Sequence, residues 1–214
     1  MNILFIAPIP PPLTGNSLAA SVFLNRLKRD NNVEVVNLNK NSFQNGVSSL
    51  KRIGQILGIL KKVWNLRRSV DLIYFSISES SSGNIKDILI YLICFKKLKM
   101  TIIHMLGGAG MKRMIDKRGV QYKLNKFFIS RLAGVIVEGE QQALTFSKVI
   151  KRDRIFVVNN FAEDFLFINK EEVKKKFENK NPLKILFLSN LLYGKGHNEL
   201  AEAYIGLSVE NKKK

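Results

Sequence analysis

Seven short apolar runs recur along this chain, each followed by a stretch with helical spacing, and that alternation leaves few folds open. The runs fall at 2–7 (NILFIA), 33–38 (VEVVNL), 71–77 (DLIYFSI), 100–106 (MTIIHML), 134–138 (GVIVE), 154–158 (RIFVV) and 184–189 (KILFLS). Several are apolar almost throughout, as parallel strands buried on both faces are. Helices are predicted near 16–29, 48–69, 83–98, 118–132, 139–149, 170–178 and 196–208. The β-α-β-α order predicts an α/β fold: a Rossmann-like parallel sheet with helices on both faces. Ligands of such sheets bind beyond the carboxyl ends of the strands. Chemistry is therefore expected in the loops at 8–17, 106–112, 138–141 and 159–164.

The chain has 214 residues, 46% of them hydrophobic, enough for one core of ordinary size and too apolar for a disordered polymer. Its net charge of +18 predicts an anionic partner: membrane lipid, nucleic acid or a phosphorylated substrate. The charge is regional. Residues 51–68 carry Lys51, Arg52, Lys61, Lys62, Arg67 and Arg68 without an acid, and residues 96–131 hold Asp116 as their single acid. Within 48–69, Leu50, Ile53, Ile56, Leu57, Leu60, Val63 and Trp64 form an apolar stripe. Such a helix either packs on the sheet with its basic side in water, or lies on a membrane with Trp64 at the headgroups and its cations on anionic lipid. The two coexist if the helix is half-buried. No run approaches the ~18 apolar residues of a membrane span, and the chain enters NILFIAP without a charged leader. A cytoplasmic protein, peripheral at the inner face of the membrane, is expected. Cys94, the only cysteine, reads as a core residue, and no metal-binding cluster is evident. No nucleic-acid motif is present, and Phe127 and Phe128 follow a helical core pattern.

In the first loop Pro8, Pro10, Pro11 and Pro12 stiffen the strand exit, Gly15 permits close approach of a ligand, and Asn16 or Ser17 is placed to cap a helix. That loop suits a phosphate or simply a tight capped turn. Gly107, Gly108 and Gly110 end another strand, for a ligand or for a turn. His104 lies two residues before Leu106, on the same strand face, either as a satisfied buried side chain or as a catalytic group. Glu138 ends a strand and Glu140 opens a helix, where its charge suits the dipole. In SNLLYGKG, Gly194 and Gly196 flank Lys195 at a helix mouth, a good grip for a diphosphate.

In this order, NILFIAP…TGNS, IIHMLGGAG, LAGVIVEGE, IFVVNNFAEDFLF and ILFLSNLLYGKGHNELAEAY resemble the family 4 (group 1) glycosyltransferases. The resemblance spans nearly the whole chain, and its last segment is the most specific. It implies a GT-B fold, whose two Rossmann-like domains face each other across a cleft. Residues 1–168 would be the acceptor-binding domain, 169–182 a linker, and 183–214 the truncated start of the nucleotide-sugar-binding domain. The implied activity is retaining sugar transfer from a nucleotide sugar to a lipid-linked saccharide in surface polysaccharide synthesis (capsule or lipopolysaccharide), without metal. The fragment alone is expected to be inactive, or to act as an acceptor- and membrane-binding subunit with a separate donor-domain chain. By the resemblance Lys195, Asn190 and Gly15 meet the donor diphosphate. Asn16, Gly107, Gly108, Glu138, Glu140 and Asn160 line the cleft, and His104 stands near the catalytic position. Two departures stand out: Asn190 replaces an arginine common in the family, and Leu106 occupies the position of its HGG histidine.

Overall fold

A computed structural model describes residues 1–39, 49–107, 109–162, 167–178, 185–189 and 196–208. Six strands, β1 (Asn2–Ala7), β2 (Asn32–Asn37), β3 (Leu72–Ser76), β4 (Thr101–Met105), β5 (Gly134–Val137) and β6 (Ile155–Val157), form one sheet in the order β2-β1-β3-β4-β5-β6. Every neighbouring pair is parallel. The connecting helices are α1 (Gly15–Leu27), α2 (Ser49–Leu66), α3 (Ser81–Ile93), α4 (Ala109–Asp116), α5 (Val120–Ile129) and α6 (Glu140–Phe146), with a 3-10 helix at Phe95–Met100. The fold is α/β and doubly wound, as the alternation predicts.

Side-chain alternation along the strands sorts the core into two layers. Leu4, Ile6, Ile73, Phe75, Ile103, Met105, Val135 and Val137 bury one face against Val63 of α2, Tyr91 of α3, Phe128 and Ile129 of α5, and Phe146 of α6. Phe5, Ala7, Tyr74 and Ile136 bury the other against Ala20 and Leu24 of α1. Register places Phe5 beside Tyr74, and their rings stack at 4.4 Å. Each large side chain so buried stabilises by roughly 1.5–3 kcal/mol.

Two local expectations are corrected. The cap of α1 is Thr14, not Asn16 or Ser17. Thr14 Oγ1 accepts the Ser17 amide at 3.1 Å, and Ser17 Oγ accepts the Thr14 amide at 2.8 Å, a reciprocal capping box. Of the strand expected at 184–189, the described residues 185–189 form no strand, and Ile185, Leu186 and Leu188 are exposed. A lone strand leaves its ladder unsatisfied, and among the described residues beyond 160 there is no second one.

The chain divides into two compact units, Met1–Asn160 and Phe161–Lys214. The second contains α7 (Lys170–Glu178) and α8 (His197–Ile205), neither with a buried residue. Gly196 opens α8 in the left-handed conformation, φ 87°, where glycine carries no Cβ penalty.

Candidate functional site

The chain leaves β1 towards β2 on one side of the sheet and crosses back to β3 on the other. At that reversal the loops diverge and a crevice opens beyond the carboxyl ends of the strands. A cavity of about 730 Å³ occupies it, within the size range of small-ligand sites. Its walls come from the β1 and β2 exits (Asn16, Asn37, Asn39), from α2 (Arg52, Ile59, Lys62) and from the β3–α3 turn (Ser78, Glu79, Ser80, Lys86).

Two of these walls, the β1 and β2 exits and the β3–α3 turn, are held by hydrogen bonds. Asn37 Oδ1 accepts the Ile9 amide at 3.0 Å, and Asn39 Nδ2 donates to the Ile9 and Pro11 carbonyls at 2.5 and 3.2 Å, pinning the proline loop to the end of β2. Asp87, fully buried, reaches back from α3 to accept the Ser78 amide at 2.7 Å and the Ser78 hydroxyl at 3.3 Å. Lys86 Nζ lies 2.5 Å from the same carboxylate. Burial pushes the Asp87 carboxyl above its ordinary value, against the opposing pull of Lys86 and Ser78. Ser80 caps α3, its Oγ accepting the Gly83 amide at 3.1 Å. With Arg52, Lys62 and Lys86 against Glu79, the cavity has a basic lining. At the opening turn of α1, the amides of Gly15 and Asn16 find no hydrogen-bond partner among the described residues. A Cβ added at Gly15 would meet no atom within 4 Å. Open amides and cations suit a phosphate or carboxylate.

The other glycine loop is built differently. Gly107 has φ 87°, and a Cβ there would lie 1.6 Å from Glu79 Oε1. A Cβ on Gly110 would lie 1.7 Å from the Glu79 carbonyl oxygen. These glycines admit the β3 exit, and Gly107 also makes the turn. Gly108 lies outside the described residues. Glu138 supports the same turn, its Oε2 accepting the Gly107 amide at 2.8 Å, while Gln142 Oε1 accepts the Glu138 amide at 2.7 Å and Gln142 Nε2 bonds the Gly107 carbonyl. Glu140 is exposed and paired with Arg152 at 3.1 Å. Asn160 is exposed just past β6.

His104 is 4% exposed and faces the α1 side of the sheet. Its Nδ1 lies 2.5 Å from the Tyr74 hydroxyl, and the Phe23 ring of α1 packs 5.6 Å away. Burial lowers its imidazole to about 4 and raises the Tyr74 hydroxyl. The ring is therefore neutral, accepting from Tyr74, and it is not part of the cavity lining.

Of the residues expected at a membrane surface, Arg52 and Lys62 of α2 line the cavity, while Lys61 and Trp64 of the same helix and Arg68 just past it are exposed. Lys51 lies within the helix, and the Arg67 guanidinium sits 3.4 Å above the centre of the Trp64 ring. Lys195 and Asn190 lie outside the described residues. Sequence reading missed Asn37, Asn39, Ser78, Glu79, Lys86 and Asp87. The carboxyl-end rule that selected four other loops points equally to the exits of 33–38 and 71–77, where Asn39, Ser78 and Glu79 sit; Asn37 ends β2, and Lys86 and Asp87 lie on α3. Among the described residues no cluster of three His, Cys, Asp or Glu side chains is placed to hold a metal, and no helix is long and apolar enough to cross a membrane. No protein-family model matches the chain, and no curated protein matches it.

Proposed function

We propose that this chain provides the acceptor-binding half of a retaining, nucleotide-sugar-dependent glycosyltransferase of surface polysaccharide synthesis, working at the cytoplasmic face of a bacterial-type membrane. The observation that carries the reading is the basic cavity at the strand reversal. Arg52, Lys62 and Lys86 border one space with the asparagines of the β2 exit. Cations there hold the phosphate of a lipid-linked saccharide, and amide side chains match sugar hydroxyls. On the sequence resemblance, the donor diphosphate falls to Lys195, Asn190 and Gly15, the last in the open first turn of α1. Transfer of this kind rests on charge stabilisation of the departing diphosphate and on positioning. His104, neutral beneath α1, is given no proton-transfer role. The exposed half of α2, with Trp64 and Lys61, and Arg68 just past it support attachment to anionic lipid.

Calorimetric titration of the chain with a short-chain polyprenyl diphosphate saccharide tests this. Binding is expected, with affinity falling about tenfold in the double variant Arg52→Ala/Lys62→Ala. The same saccharide without its phosphates should bind far more weakly. Equal binding of the phosphate-free sugar, or an unaffected double variant, would reject the reading.

A second reading, a subunit completed by a separate donor-domain polypeptide, draws on the exposure of Leu186, Leu188, Phe177 and Ile205. Co-purification of such a chain from the native source distinguishes it.

A further inference from the structure

The helices on the outer side of the sheet carry a feature that packing does not explain. Each has one apolar stripe against the sheet and a second facing away from it. On α3 the inner stripe includes Ile88 and Tyr91, while Ile85, Leu89 and Leu92 are 56%, 38% and 53% exposed. On α5 the inner residues are Phe128 and Ile129, while Val120, Leu124 and Phe127 are 75%, 38% and 43% exposed. Both outer stripes have i, i+4, i+7 spacing, so each is a continuous line along its helix. On α2, Ile53, Leu57 and Trp64 continue the pattern. The stripes join: α3 packs against both α2 and α5, and Phe95, just past α3, stacks on Phe127 with ring centres 6.3 Å apart. An exposed apolar surface spread over three helices marks an interaction site.

Charge identifies the occupant. Within α2, α3, the 3-10 helix and α5, Asp87 is the only acid, and it is buried. Against it stand the exposed lysines Lys61, Lys96, Lys99, Lys123 and Lys126. Two stripes end in an aromatic ring beneath a guanidinium: Arg67 above Trp64 at 3.4 Å, and Arg131 above Phe127 at 3.8 Å. Because helices return antiparallel to the strands, both pairs lie at the amino edge of the sheet. Apolar lines bordered by cations, with aromatic–arginine pairs at one end, match a bilayer with anionic headgroups: rings and aliphatic side chains enter the acyl boundary while ammonium and guanidinium groups meet phosphate. A second copy of this surface would bring like charge against like, and a nucleic acid would leave the apolar lines uncovered.

We propose that the outer face of α3, the 3-10 helix and α5, continuous with α2, is the membrane-docking surface of this protein, inserting Leu92, Phe95, Leu124 and Phe127 into an anionic leaflet. The stripes run the length of the helices, so the layer lies flat and the cavity at its carboxyl edge opens beside the bilayer. That last consequence rests on the function proposed above; the docking itself does not.

The test is flotation of the whole chain with vesicles of phosphatidylcholine alone or mixed with phosphatidylglycerol, none containing a saccharide acceptor. A failure here is therefore separate from a failure of acceptor binding. Binding is expected to the anionic vesicles, with partitioning reduced at least about tenfold in Phe95→Ser/Phe127→Ser. Both rings are about half exposed in the fold, and circular dichroism and a melting curve identical to the parent's confirm that the variant is folded. Should that variant unfold, Leu92→Gln/Leu124→Gln, read the same way, replaces it. Parent-like partitioning by folded variants, binding abolished by salt yet indifferent to them, or variant-sensitive self-association without vesicles would each overturn the proposal.

Discussion

Two glycine loops that look alike in sequence do different things, and substitution separates them. Gly110 sits where a Cβ would lie 1.7 Å from the Glu79 carbonyl oxygen. Gly110→Ala must therefore move backbone and should cost about 2–3 kcal/mol. Gly15→Ala meets open space and should leave stability unchanged or slightly raised, while weakening any ligand seated on the first turn of α1. Denaturant titration of the two variants checks the pair; equal midpoints would contradict the packing account. His104 makes a prediction with a sign. Burial lowers its imidazole to about 4, whereas an unfolded histidine titrates near ~6.5. Between those values the unfolded chain holds a proton that the folded chain lacks. Stability from this site is complete above the unfolded value and is lost as pH falls through the folded one, by up to roughly 3 kcal/mol. His104→Gln keeps an acceptor for Tyr74 and should flatten unfolding midpoints measured from about pH 7 to about pH 4.5. An unchanged slope would assign the acid sensitivity elsewhere.

At the scale of elements, the β3–α3 turn depends on an ion pair inside the helix. Among the described residues Lys86 is the only cation bonded to the fully buried Asp87. Removing it in Lys86→Met strands a carboxylate and should cost about 3 kcal/mol at neutral pH. Because Asp87 is already pushed upward by burial, losing Lys86 raises it further. The folded variant then takes up the proton as pH falls, so the penalty should shrink towards the acid side. A penalty constant with pH would show that Asp87 is not the group left uncompensated. The strands were legible because parallel strands buried on two faces read as unbroken apolar runs, and all six lie where the sequence places them, within two residues at either end. Helix α4 was not, although Met111, Met114 and Ile115 have helical spacing and are buried; its glycine-rich start disguised it. Residues 185–188 have strand composition, yet among the described residues no strand pairs with them. Of the site, the proline loop and Asn16 were legible because the topology rule selects them. Asn37, Asn39 and Asp87 were not, because each acts on a loop distant in sequence or on the turn before its own helix. Spacing alone does not encode such closures.

The whole molecule sets its apolar mass against its charge in one unit. Among the described residues, all members of both core clusters precede Asn160, and so do the cavity and the proposed docking face. The second unit, taken by itself, contributes two helices without a buried residue. Cooperative unfolding follows buried apolar area, so the sheet and its helix layers hold the structural stability of the chain. A chain ending at Asn160 should therefore keep a single cooperative melt, with a midpoint within about 4–8 °C of the parent's, the shift that ~1 kcal/mol produces in a domain of modest size. It should also keep vesicle binding, since the residues assigned to that surface all lie before Asn160. It should lose any affinity for a nucleotide sugar that depends on Lys195. Differential scanning calorimetry with flotation and nucleotide-sugar titration on the two chains reads all three. A shortened chain that melts without cooperativity would show that residues beyond 160 complete the core. One that still binds a nucleotide sugar as the parent does would remove Lys195 from the donor site.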